Sequence, residues 1–220
     1  MKKWLFILLF LPIMAMGDNN LLPLDKLAGT MDRQILETEI ANIEATGKSI
    51  DKAERLKRLG IAWHNLASLE VSGASSEADR WLKQALDASP TDYEVMAYYG
   101  SARTMVARDS WNVVTKVISV NKGVSLIDKA VRKAPENIIV RLVRANNSLA
   151  LPKMFKRRPK AKEDFSFLHE RLDTLDISAE TRAEICFKLG KIREEDGDSA
   201  GAKELYEQAR SISPDGKWAG

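Results

Sequence analysis

Apolar residues recur at helical rather than strand spacing along most of the chain. Val113, Val117, Val120, Val124, Ile127, Val131 and Ala134 follow one another at intervals of four and three, which puts them on one face of an α-helix. Ile35, Leu36, Ile40 and Ile43 form a similar stripe upstream, with Thr30 as a candidate N-cap. Strand-like alternation is rare, and glycine and proline fall mainly between the periodic stretches. The pattern therefore predicts an all-α protein. The segment "NVVTKVISV" is rich in β-branched residues that would suit a short strand. Its stripe continues in phase into "GVSLIDKAVRKAP", which favours one long helix starting about three turns early behind an Asp109 or Ser110 cap.

The punctuation of these helices repeats. In "EICFKLGKIREEDGDSAGAKELYEQARSISP", twelve residues separate Gly190 from Ala202 and twelve more separate Ala202 from Pro214, with Tyr206 and Ala209 between. This spacing of small, aromatic, small and proline resembles the tetratricopeptide repeat, a helix-turn-helix unit of about 34 residues. In that family small residues let helices A and B cross closely, a large residue fills the space between them, and a proline ends helix B. An earlier copy aligns through Trp63, Leu66, Ala67, Ala78, Leu82, Ala85 and Pro90. The next begins at "YYGSA" and keeps the helix-B spacing at Gly123, Ile127, Ala130 and Pro135, with about eleven extra residues before it. The third is loosest, fitting at Ala161 and Phe165. The resemblance implies a helix-turn-helix repeat solenoid of about four units over residues 58–214, with an N-terminal extension and lead-in helix over residues 18–57 and a short tail over 215–220.

Residues 1–17 read differently. Lys2 and Lys3 precede an apolar run from Trp4 to Met14, and Ala15 and Gly17 offer a small-x-small cleavage site, the pattern of a secretory signal peptide. Export to the periplasm is the expectation; an uncleaved N-terminal helix holding the chain at the membrane is the alternative. Removing the signal lowers the formal charge from +3 to about +1, so the basic balance implies little about partners. Cys186 is the only cysteine, and it lies in the apolar stretch "RAEICFKLG", where it reads as a small buried hydrophobe.

Two irregular A-to-B turns carry the candidate chemistry. The long second unit would present Trp111 near its tip. In the third, Pro152 should stop helix A, and helix B should resume near Pro159. This leaves "KMFKRR" as the turn, and because the A-to-B turns of the family lie along one edge, Trp111, Lys153, Met154, Phe155, Lys156, Arg157 and Arg158 are expected to form one partner-binding surface. A basic-aromatic mixture also suits nucleic acid, but an exported protein does not meet it. A protein or peptide is the first expectation, with an anionic lipid or an acidic cell-wall polymer behind it. The same turn is readable as solvated structure with Met154 and Phe155 folded onto the helices. Arg141 and Arg144 share a helix face with Ser148, giving either an anion site or internal pairs with Glu163 or Asp164.

Sharper functions find little support. The positions that hold a peptide carboxylate in some relatives of the resembled family offer His64, Ser68, Ala97, Ser101, Phe187 and Lys191, which do not reproduce that clamp. His64 and His169 belong to no His-Glu-x-x-His motif, "REEDGD" lacks EF-hand spacing, and no phosphate-binding glycine loop occurs. The expectation is a non-enzymatic protein without cofactor or metal: an exported adaptor or scaffold for protein–protein interaction in the cell envelope. The alternative is a solute- or lipid-binding accessory protein of an envelope transport system.

Overall fold

The computed structural model describes residues 21–46 and 49–219; the expected signal peptide lies outside them. Ten α-helices and two single-turn 3-10 segments make up the secondary structure of the described residues. Helix α1 (Leu24–Gly29) and α2 (Arg33–Thr46) precede four antiparallel pairs. These are α3 (Lys52–Ser68) with α4 (Ala74–Ala88), α5 (Tyr93–Asp109) with α6 (Val113–Lys133), α7 (Ile138–Ala150) with α8 (Arg158–His169), and α9 (Ala179–Glu195) with α10 (Ser199–Ile212). This is the all-helical repeat solenoid expected from the spacing, with the third unit ended at Ala150 before Pro152 and resumed with Pro159 in the first turn of α8.

A helix start after each B helix is written in a single side chain. Asp51, Asp92, Asn137 and Ser178 each accept a backbone N–H from the first turn of α3, α5, α7 and α9, satisfying donors that the helix itself leaves unpaired. The same role falls to Asp32 for α2, whose side chain takes the Ile35 N–H at 3.0 Å. Thr30, expected there, instead closes the end of α1, its own N–H bonded to the Leu27 carbonyl.

Small residues set how closely the pairs cross. Gly100 of α5 and Gly123 of α6 face each other so tightly that a Cβ on Gly100 would lie 2.6 Å from the Gly123 carbonyl oxygen. At Gly190 a Cβ would meet the Tyr206 ring at 2.7 Å, so the small and aromatic positions of the last unit pack on each other as their spacing implied. The extra length of the second unit is helical and falls on α6, which runs for 21 residues from Val113 against 15 in α4 and 14 in α10, whereas α5 has the 17 residues of α3 and α9.

Two apolar cores share α7. Val140 and Val143 join the core built on α1 to α6, whereas Leu142 and Ala145 join the one built on α8 to α10. Past Pro214 the tail turns back onto α9. The Lys217 N–H and the Ser213 hydroxyl both donate to the Glu180 carboxylate, and the Trp218 ring lies 5.4 Å from that of Phe187. The open end of the stack is thereby covered by the chain itself.

Candidate functional site

The tip of the α5–α6 hairpin is the most exposed apolar feature of the molecule's described residues. Trp111 is 91% exposed, Val113 71% and Val114 69%, with Ile118 also exposed one turn further along α6. The backbone beneath them is well held. The Asn112 N–H donates to the Ser110 hydroxyl at 3.3 Å, Lys116 donates to the Arg108 carbonyl at 3.2 Å, and the Arg108 guanidinium reaches the Ala67 carbonyl of α3 at 3.2 Å. An ordered hairpin thus presents apolar side chains to solvent, an arrangement more typical of an interaction site than of a free surface.

The second irregular turn behaves otherwise. Lys153–Phe155 form one 3-10 turn and Lys156 takes a left-handed conformation at φ 52°. Arg157 then forms a two-pronged ion pair with Asp128 of α6, at 2.9 and 2.6 Å. Arg158 bonds Glu195 and donates to the Ile192 carbonyl at 2.7 Å. Both arginines therefore act as brackets, one to the preceding unit and one to the following unit, and only Lys153, Met154 and Lys156 are exposed in this turn. Phe155 is half-buried. The turn is anchored at Asp128, about 22 Å of helix rise from Val113 along α6. The seven residues expected to form one surface are thus divided between two places on the edge.

Arg141 and Arg144 take the internal alternative. Asp164 of α8 is fully buried and accepts from Arg141 at 2.9 Å and from two nitrogens of Arg144 at 2.6 and 2.7 Å, while Glu163 accepts from Arg144 at 2.6 Å. With Arg144 committed to carboxylates and Arg141 to Asp164 and the Pro135 carbonyl, the two guanidiniums form a structural clasp between α7 and α8 rather than an anion site.

Three of the six positions that a carboxylate clamp would use are closed off. His64, Ala97 and Ser101 are buried rather than lining an open groove. The His64 ring sits between Asn65 and the Ser101 hydroxyl, at 3.3 and 2.9 Å, and Asn147 of α7 extends the chain to Thr104 at 2.6 Å. Burial lowers the His64 pKa to about 4 against the opposing bond from Asn65, so the ring is neutral near pH 7. Ser68 and Phe187 are half-buried and Lys191 is exposed.

Part of the cover comes from the segment Leu21–Thr30. Leu27 is fully buried, and the Asn65 amide donates to the carbonyls of Leu27, Ala28 and Thr30 at 2.9, 3.2 and 3.1 Å. At its other wall, a Cβ on Gly29 would lie 3.8 Å from the Thr181 hydroxyl of α9. The segment is thus held by α2 and α3, with Gly29 at its end facing Thr181 of α9. This occupant was not anticipated, because "LLPLDKLAGT" is too short to carry a helical period.

The remaining reactive types are structural. Cys186 is buried, with its thiol pushed up to about 11 by that burial, which suppresses the nucleophilic thiolate. His169 is paired with Gln208 at 2.8 Å. Among the described residues no group of His, Cys, Asp and Glu is placed to hold a metal ion, and no helix is long and apolar enough to cross a membrane.

Four stacked helix pairs with close small-residue crossings define a tetratricopeptide-repeat-like solenoid. Among solved structures, the chain superposes on a thermophilic TPR protein of Thermus thermophilus with a TM-score of 0.63, covering 82% of this chain and 84% of that one at 17% identity. A second likeness, to MamA of MSR-1, has a TM-score of 0.46 at 18% identity over 86% and 94% of the two chains. At such identities the first establishes the fold alone, and the second adds nothing to it. No protein-family model and no curated protein matches the sequence.

Proposed function

We propose that the protein is an exported, periplasmic, non-catalytic scaffold whose solenoid, the four helix pairs from α3 to α10, docks a protein partner through the α5–α6 hairpin tip. The carrying observation is the exposed set Trp111, Val113, Val114 and Ile118 on a hairpin extended beyond its neighbours and braced from below. A tryptophan among β-branched residues offers a partner a large apolar anchor, and Arg108 and Lys116 beside it supply a polar rim that sets rate and selectivity. The fold supports this reading by analogy, since repeat solenoids present extended surfaces to other proteins. The solute- or lipid-binding alternative drew its anion anchors from Arg141 and Arg144, and both are held by Asp164 and Glu163.

Crosslinking in intact cells tests the docking step. Trp111→Ala alters a solvent-exposed side chain, so the unfolding free energy should hold within about 0.5 kcal/mol. Wild-type protein should capture a protein that the variant loses; an identical captured set contradicts the assignment of the tip. Export has its own readout. Intact mass spectrometry of the envelope fraction should find a chain beginning at Asp18, whereas a chain retaining Met1 contradicts cleavage after Gly17.

A further inference from the structure

The bonds that hold Leu21–Thr30 are of one kind. Glu39 of α2 accepts the Leu22 N–H at 3.1 Å, and Arg58 of α3 donates to the Leu22 carbonyl at 2.6 Å, so both polar groups of one residue's backbone are read by a side-chain pair. Arg58 and Glu39 are themselves 3.8 Å apart, and Glu39 is buried. Asn65 reads the three carbonyls at the end of α1. Each of these contacts runs from a groove side chain to the backbone of the segment. Any peptide presents such backbone groups, and selectivity falls to the apolar side chains, with Leu27 fully buried and Leu21, Leu22, Leu24 and Ala28 packed against the same core.

We infer that Leu21–Thr30 is a built-in stand-in for a peptide ligand. The groove lined by Glu39, Arg58 and Asn65 takes a short leucine-rich helical segment of a partner protein in its place. This rests on the reading of the molecule as a docking scaffold and gives that scaffold a second, regulated site. The ligand it fits has an extended residue followed by about two turns of helix, leucines at the positions of Leu22, Leu24 and Leu27, and open carbonyls at the helix end. Its net charge matters little, because the groove addresses backbone and leucine side chains rather than charged ones. Binding requires the resident segment to leave, so affinity is reduced by the fraction of time the groove is open. A groove open about one per cent of the time binds about 100-fold more weakly than a free one.

A fluorescent synthetic peptide with the sequence of residues 18–32 is the probe, and full-length proteins are the receptors. Leu27→Glu in the protein should release its own segment by placing a charge where a leucine is buried. That variant should bind the wild-type peptide at least about tenfold more tightly than the unaltered protein does, in keeping with the open-fraction argument. Adding Asn65→Leu should remove most of that gain, and a peptide carrying Leu27→Glu should bind none of the three proteins. Failure of the Leu27→Glu protein to bind the peptide, with α3 to α10 still folded by circular dichroism, overturns the inference. Should that variant not fold, hydrogen exchange on the unaltered protein decides. Amides of 24–30 must open independently of, and faster than, those of α5; exchange only through global unfolding makes the segment an integral part of the core and overturns the inference too. None of these readouts involves Trp111, so a failed groove and a failed hairpin tip are distinguishable.

Discussion

Replacing Asp164 by alanine is expected to cost about 3 kcal/mol of folding stability, measured by denaturant unfolding. Its carboxylate is fully buried and takes three donors, one from Arg141 and two from Arg144. Without it the buried Arg144 guanidinium keeps only Glu163 at 2.6 Å and Asp128 at 3.7 Å. Breaking one side of a buried pair costs about 3–5 kcal/mol, and the surviving partners place this case at the low end. Replacing Arg144 by methionine together with Asp164 by leucine should recover part of the loss, because neither of those two charges is then left buried, while Arg141 keeps the Pro135 carbonyl and Glu163 at 3.6 Å. If the single variant unfolds like wild type, the clasp contributes nothing and the α7–α8 pair is held by its apolar contacts alone.

The second large effect is a pH dependence carried by His64. Its folded pKa is lowered to about 4 by burial, against about 6.5 in an unfolded chain. Between those values the unfolded chain binds a proton that the folded one excludes. Stability is therefore fully present above about pH 6.5 and falls as pH drops towards 4, by about 3 kcal/mol from this residue. Carboxylates titrate over part of the same range, so the informative quantity is the difference from His64→Gln, which keeps a polar side chain without a titrating ring. Wild type should lose about 3 kcal/mol more than the variant between pH 7 and pH 4. Identical profiles would mean that the imidazolium is accommodated between Asn65 and Ser101.

Much of the fold was legible because helix ends and close crossings are local chemistry. Gly190, Ala202, Tyr206 and Pro214 announce the last unit, and the in-phase stripe from Val113 to Ala134 outweighs the β-branched character of "NVVTKVISV", as the single helix over Val113–Lys133 shows. The caps could have been read more fully. Asp92 and Asn137 each follow a proline by two residues, a stop and a start in one short signal that places the helix boundaries better than the repeat alignment does.

The candidate site was legible only where it depended on exposure of a helix tip. Trp111 stands out because none of the described residues covers it, and a hairpin tip predicts that. The basic turn misled because charge counted along the chain ignores counter-ions supplied from elsewhere. Arg157 finds Asp128 and Arg158 finds Glu195, each far away in sequence. Likewise the buried state of His64 and Ser101 depends on Asn147 and on the N-terminal segment, which share no sequence period with α3. A groove is visible in a repeat pattern, whereas what fills it is not.

The most direct measurement places a photo-activatable phenylalanine analogue at position 111, with the same analogue at Lys203 of α10 as a control, in cells exporting the protein. Lys203 is an exposed site on a B helix away from the hairpin. If the tip is the docking surface, illumination yields a discrete protein adduct from position 111 and none from 203. No adduct from 111, or the same set from both positions, would contradict the scaffold's assignment to that surface.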